Sequence, residues 1–223
     1  MQIWLLALAS SVLLSIPYIV PHCGLVSLVA FVPLFLAEQL AHNSGKKRFF
    51  HIAYVSFLVW NLITTFWVWF ATPGGAMAAF ILNTLQMAII FSMFRWMRKF
   101  TNGFLPYIFF CIVWLAWEHS YQNGQINWPW LVLGNSFATS IKNIQWYEFT
   151  GVLGGSLWVL LSNMLLVRII LLKNRKQPQL KRKINQTCHN LQSGICLFFE
   201  LLFKRTYQPN PKVSRNTITG TVF

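Results

Sequence analysis

Residues 3–20, 52–71 and 76–94 contain no charged side chain, and no other feature constrains the fold of this chain as strongly. A helix of about twenty apolar residues pairs every backbone N–H and C=O internally and matches the thickness of a bilayer's hydrocarbon core. Packing in water does not account for such runs. Soluble domains carry roughly a quarter charged residues, whereas 10% of this chain is Asp, Glu, Lys or Arg and 56% is hydrophobic. Three further apolar runs follow the same logic, so the expected fold is all-α: a polytopic transmembrane bundle of about six helices, approximately at 3–20, 24–41, 52–71, 76–95, 104–121 and 151–172. Residues 1–172 then form one transmembrane domain, and 173–223 form a basic, largely irregular tail. A short apolar stretch near 191–203, interrupted by Glu200, is at most a marginal seventh helix.

The net charge of +14 would suit a nucleic-acid binder, but its distribution argues against one. Basic residues cluster between apolar runs, at Lys46, Lys47 and Arg48, at Arg95, Arg98 and Lys99, and from Lys173 onward. This is how cytoplasmic loops of membrane proteins are marked. Placing these clusters in the cytoplasm puts the N-terminus there as well. It leaves 20–24, 72–75 and the loop 121–150 outside, with Lys142 as their one Lys or Arg. In a bacterium, that means a multi-pass protein of the inner membrane with 121–150 in the periplasm. The first run lacks a basic leading segment and an Ala-x-Ala cleavage site, so it is read as a retained span. Membrane lipids are the expected surroundings, with no nucleic-acid partner. A subsidiary possibility is that the tail binds anionic lipid.

Few residues offer chemistry. Cys23, Cys111, Cys188 and Cys196 form no CxxC pair, the histidines lack metal spacing, and no GxSxG, HExxH, Walker-type loop or carboxylate pair is present, so no metal or other cofactor is expected. Glu118 lies at the far end of the fifth run behind Trp114 and Trp117, where two readings stay open. It is either a buried acid with a function or a solvated helix-end residue. Trp128-Pro129-Trp130 makes a rigid amphipathic knob at headgroup level, with Gly134, Asn135 and Ser136 close behind. It reads either as a lipid-headgroup or acyl-chain site or as part of an aromatic belt. Gly151, Gly154, Gly155 and Ser156 provide a smooth face for close helix packing. A non-enzymatic scaffold or small transporter is the alternative function, with Asn61, Thr64, Thr65, Asn83, Thr84 and Gln86 as candidates for a polar path, although the two threonines can bond back to their own helix.

Several of these segments together resemble bacterial apolipoprotein N-acyltransferase. Leu14-Ser15-Ile16-Pro17 and Ala30-Phe31-Val32-Pro33-Leu34 are similar to that family's opening hairpin, and Trp114-Leu115-Ala116-Trp117-Glu118 to the end of its fifth helix. Trp128-Pro129-Trp130 through Gly134-Asn135-Ser136 resembles its Pro-Trp loop, and Trp146 through Ser156 the start of its sixth helix. The resemblance implies an enzyme that moves an acyl chain from a phospholipid donor to the N-terminal cysteine of a diacylated lipoprotein. It does so through a thioester on a nitrilase-like domain bearing a Glu-Lys-Cys triad. No such triad can be assigned here, so no catalytic residue is named. The expectation is the family's membrane part, truncated or frameshifted near residue 173 and inactive alone. The substrate-binding candidates that the resemblance supplies are Trp130 first and Glu118 next, with Trp128, Pro129, Gly134 and Asn135 beside them.

Overall fold

In a computed structural model of the chain, residues 1–46, 48–101, 103–122, 124 and 128–174 are described. The basic tail beyond them, with the short apolar stretch near 191–203 read as at most a marginal helix, lies outside the described residues. Helix α1 (Gln2–Ile19) turns through Val20–Cys23 into a 3-10 turn (Gly24–Val26), the short α2 (Ser27–Ala30) and α3 (Val32–Asn43). Then follow α4 (Phe50–Thr65), α5 (Val68–Ala71), α6 (Pro73–Phe100), α7 (Leu105–Gln122) and α8 (Tyr147–Asn174). Four stretches are long and apolar enough to cross a membrane: Gln2–Ile19, Gly24–Asn43, Pro73–Phe100 and Tyr147–Lys173. No strand occurs among the described residues. The chain is an all-helical, multi-pass membrane bundle.

Where observed helices differ from the expected spans, the backbone explains it. Pro17, a residue type that discourages helix continuation, sits inside α1. A proline this close to a helix end deletes one hydrogen bond, and in an apolar setting the neighbouring groups keep their helical partners, such as Val20 N–H donating to the Ile16 carbonyl at 2.8 Å. Pro33 acts more strongly, because it stands where a second helix can begin on a fixed φ. The span 24–43 is therefore broken at Phe31 rather than continuous. Pro73, in the 72–75 connection, is the first residue of α6, which runs on past its apolar section so that Arg98 and Lys99 occupy its last turn.

A bilayer offers little hydrophobic drive between helices, so packing and hydrogen bonds hold the bundle together. Small residues let α1 and α4 close up. The Ser56 hydroxyl donates to the Ala7 carbonyl (2.8 Å) and the Ser11 hydroxyl to the Ser56 carbonyl (2.7 Å), all buried. Behind them lies an aromatic core: Phe35 meets Phe94 and Phe110 edge-on at 5.2 and 5.4 Å, and Phe31 meets Trp114 edge-on at 5.3 Å. Such contacts are worth about 0.5–1.5 kcal/mol each beyond the area they bury.

The helix break at Phe31 is closed by a residue that sequence reading did not single out. Asn163, fully buried on α8, accepts from the backbone N–H groups of Phe31 (2.8 Å) and Val32 (3.2 Å). Its amide donates to the carbonyls of Ser27 and Val159, both at 2.8 Å. Several polar side chains of α4 and α6 are likewise paired, although Thr84 Oγ1 and Asn83 Oδ1 have no hydrogen-bond partner among the described residues. Thr64 and Thr65 donate to the carbonyls four residues back, at 2.7 Å each, and Asn83 donates to Asn61 Oδ1 at 2.7 Å. These bonds pair helices or return to the residue's own backbone.

Candidate functional site at the aromatic end of the bundle

The connection from α7 to α8 was expected to be an exposed polar loop, yet much of its second half is a plug. From Trp128 it winds through 3-10 turns at Pro129–Leu131, Leu133–Phe137 and Ile141–Asn143. Leu131, Val132, Leu133 and Phe137 are buried. These residues are apolar enough to enter the bundle but too short a run to form a helix, so their backbone polar groups need partners from elsewhere.

Side chains from three helices supply those partners. Tyr18 on α1 donates its hydroxyl to the Val132 carbonyl at 2.9 Å. Glu118 on α7 accepts the Leu133 N–H through Oε1 at 2.9 Å, and the same oxygen accepts Trp114 Nε1–H at 2.9 Å. On α8, Ser156 Oγ accepts the Gly134 N–H (2.9 Å) and Tyr147 donates to the Gly134 carbonyl (3.0 Å). Ser136 and Ser27 hydroxyls lie 3.1 Å apart. Glu118 is 1% exposed, which excludes the solvated helix-end reading. Its Oε2 has no hydrogen-bond partner among the described residues.

The same ties explain the glycines. A side chain on Gly134 would run into the Val152 carbonyl and approach Val152 Cγ1 to 2.8 Å, so backbone contact between plug and α8 requires glycine. Gly151 (φ 65°, ψ −172°) breaks the helical path of α8 in a region that only glycine visits freely. The first turn of α8 thereby folds back on the next one. A Cβ on Gly154 would strike Thr150, and one on Gly155 the Tyr147 hydroxyl. The smooth face read as a helix-packing surface thus receives the helix's own first turn. Gly134→Ala is expected to push the plug off α8 and cost about 1–3 kcal/mol, as over-packing does, seen as a lower unfolding temperature in detergent and faster proteolysis after Trp128.

Above the plug stands the tip. Trp130 is 51% exposed and meets Trp67 edge-on at 5.1 Å. Trp67, Trp69 and Phe70 are also exposed, while Trp128 leans on the small cluster of Val68, Ala76 and Phe80. Asn135 does not present its amide outward, since Nδ2 donates to the Pro129 carbonyl at 2.8 Å and closes the tip on itself. The six candidate residues therefore separate into two tiers. Trp128, Pro129 and Trp130 form the outward tip, and Glu118, Gly134 and Asn135 form the frame beneath it. Tyr18, Tyr147 and Trp67 complete the site. A Tyr hydroxyl in an apolar run must find an acceptor, and that was the one available signal for the two tyrosines. Among the described residues, no three His, Cys, Asp or Glu side chains gather as a metal site would require.

A conserved-domain comparison agrees with this order of elements. The family model for the apolipoprotein N-acyltransferase N-terminal domain matches residues 10–165, from α1 to α8. The chain belongs to that family. It is 29% identical over 197 residues to an apolipoprotein N-acyltransferase of Chlorobaculum tepidum, covering 86% of this chain and 36% of that protein. A second apolipoprotein N-acyltransferase, from Geobacter metallireducens, is 25% identical over 178 residues, covering 75% of this chain and 33% of that protein. The chain thus spans about a third of the length of the curated relatives it matches. No solved structure matches it. The matched range contains both the aromatic tip and Tyr18, Glu118, Tyr147 and Ser156, which hold the plug beneath it.

Proposed function

We propose that this bundle holds and orients the lipid substrates of an apolipoprotein N-acyltransferase, a phospholipid acyl donor and a diacylated lipoprotein, at the outer face of the bacterial inner membrane. The observation that carries this reading is the tip: two exposed indoles, Trp67 and Trp130, crossed edge-on above a loop backbone that α1, α7 and α8 pin in place. Indole suits this task because its apolar face accepts acyl chain while its N–H stays at headgroup level. A pinned platform spends less entropy when a lipid binds than a loose loop would.

The basic side chains lie toward the other end of α6, at Arg95, Arg98 and Lys99, which supports a cytoplasmic basic end and a periplasmic tip. In a thioester mechanism the nucleophile, base and supporting lysine would come from a nitrilase-like domain. The role assigned to the residues described here is therefore positioning the acyl groups, with bond making elsewhere.

Photolabelling tests the reading. With the full chain in nanodiscs containing a phospholipid that carries a diazirine on its acyl chain, label is expected to concentrate on peptides spanning Trp67–Phe70 and Trp128–Trp130. Changing both Trp67 and Trp130 to Ala should lower it roughly tenfold, the equivalent of about 1.4 kcal/mol of lost contact. Label spread evenly over the lipid-facing helices, unchanged in the double variant, would refute the assignment.

A further inference from the structure

At the opposite end of the bundle, α3, α6 and the turn between α3 and α4 bring together a second polar cluster that the acyl-chain role does not use. Arg98 pairs with Glu38, which is fully buried, and donates to Gln39 Oε1 at 2.7 Å while lying over the Phe94 ring. One turn earlier, Arg95 is anchored differently. It donates through Nη2 to the Lys46 carbonyl, and its guanidinium lies 5.3 Å from the Phe49 ring centroid. Its Nη1 is buried without a hydrogen-bond partner among the described residues.

The charges do not balance. Among the described residues, Glu38 is the one acid near this end, since Glu118 and Glu148 belong to the plug end. One carboxylate therefore serves two guanidiniums, and it makes its ion pair with Arg98. Lys46, Arg48 and Lys99 are exposed around them. Lys99 lies four residues after Arg95, on the same face of α6. The helix end itself carries partial negative charge, so an anion here must be held by side chains and not by backbone.

Depth is set by a neighbouring aromatic pair. Trp96 and Phe100, 53% and 67% exposed, stand 4.9 Å apart on the last turns of α6. Exposed aromatics at a span's end settle at the headgroup boundary. That places Arg95 and Lys99 level with lipid phosphates, with Lys99 exposed and the Arg95 guanidinium part-exposed while Glu38 makes its ion pair with Arg98.

We propose that Arg95, Lys99 and Lys46 form a binding site for the phosphate of an anionic phospholipid in the leaflet at the basic end of the bundle. Arg95 is the fixed positive charge, held by Phe49 and the Lys46 carbonyl. Arg98, neutralised by Glu38, keeps α6 and α3 in register beside it. The exposed lysines add attraction that depends on the lipid's net charge.

The test uses the full chain in nanodiscs of phosphatidylcholine alone or mixed with phosphatidylglycerol, each lipid supplied in turn with a headgroup-proximal diazirine. Phosphatidylglycerol is expected to label the peptides holding residues 44–49 and 95–100 more than phosphatidylcholine does. Lys99→Gln should lower that labelling roughly fivefold, as removing one basic residue from an anionic surface does, and Arg95→Gln by at least as much. Labelling of residues 175–223 should not change, and Lys142→Gln at the other end serves as control. Lys99 is exposed, so its variant reads binding even if Arg95→Gln folds poorly. Equal labelling by the two lipids, or no effect of Lys99→Gln, overturns the proposal. So does displacement of the label by inorganic phosphate together with stabilisation of the detergent-solubilised protein, which would identify a free anion as the ligand.

Discussion

Asn163→Leu is expected to destabilise the bundle by about 2–6 kcal/mol, because it strips two buried backbone groups of their partners at roughly 1–3 kcal/mol each, and a third that is part-buried. Those groups are the N–H of Phe31, the N–H of Val32 and the carbonyl of Ser27. Leucine keeps asparagine's branched outline and is the larger of the two, so a cavity is not the cause. The loss arises where α2 and α3 are separated at Phe31, a break that no other described side chain bridges so fully. Domains in general keep only about 5–15 kcal/mol in hand, so this variant should unfold well before the parent in a graded detergent-denaturant titration. Asn163→Asp, which keeps an acceptor for the two N–H groups but loses donors to Ser27 and Val159, should fall between them. Identical midpoints for parent and leucine variant would mean that the break at Phe31 is held by packing alone.

The second large effect is expected at Glu118. Replacing it with leucine removes the acceptor of the Leu133 N–H and of Trp114 Nε1–H, two buried donors. A cost of about 2–4 kcal/mol follows from orphaning them. The plug should loosen at its centre, which exposes the half-buried Trp128 to solvent. The readouts are a red shift in tryptophan emission, faster cleavage between residues 122 and 147, and weaker labelling of the tip by acyl-chain diazirine. Glu118→Gln provides the contrast. Its amide oxygen can accept both donors, so stability and tip labelling should stay near the parent's. If glutamine proves as damaging as leucine, the carboxylate's charge matters in itself, and Glu118 is more than the positioning residue that its hydrogen bonds make it. The Glu118 pair of variants also separates this frame from the lipid contact proper, because Trp130→Ala should lower labelling while leaving the emission of the remaining tryptophans and the proteolysis rate unchanged.

How much of this could be read without coordinates differs from residue to residue. The membrane bundle was legible because its cause is local: a run such as 76–94, without one charge, can satisfy its backbone in lipid only by winding into a helix. The family was legible for a related reason, since motifs such as Trp114 to Glu118 and Trp128 to Ser136 stand in order along the chain. The tiers of the site were not. Glu118 and Asn135 looked as able to face a lipid headgroup as Trp130 does, and nothing local distinguishes a carboxylate aimed at solvent from one aimed at the Leu133 N–H fifteen residues on. Gly154 and Gly155 read correctly as a place needing small side chains. What occupies the space is Tyr147 and Thr150 of the same helix, brought there by the positive φ of Gly151.

Asn163 shows the limit most clearly. In sequence it is one polar residue in an apolar span, indistinguishable from Asn61 or Asn83, and its importance arises entirely from a helix break 131 residues earlier. The amino-acid sequence alone determined that this chain crosses a membrane as helices, with its aromatic and basic residues in separate segments, because hydrophobicity and helix length act over neighbouring residues. Only the tertiary structure decided which buried polar side chain completes which interrupted backbone, because a hydrogen bond depends on separations of about 3 Å between groups far apart along the chain.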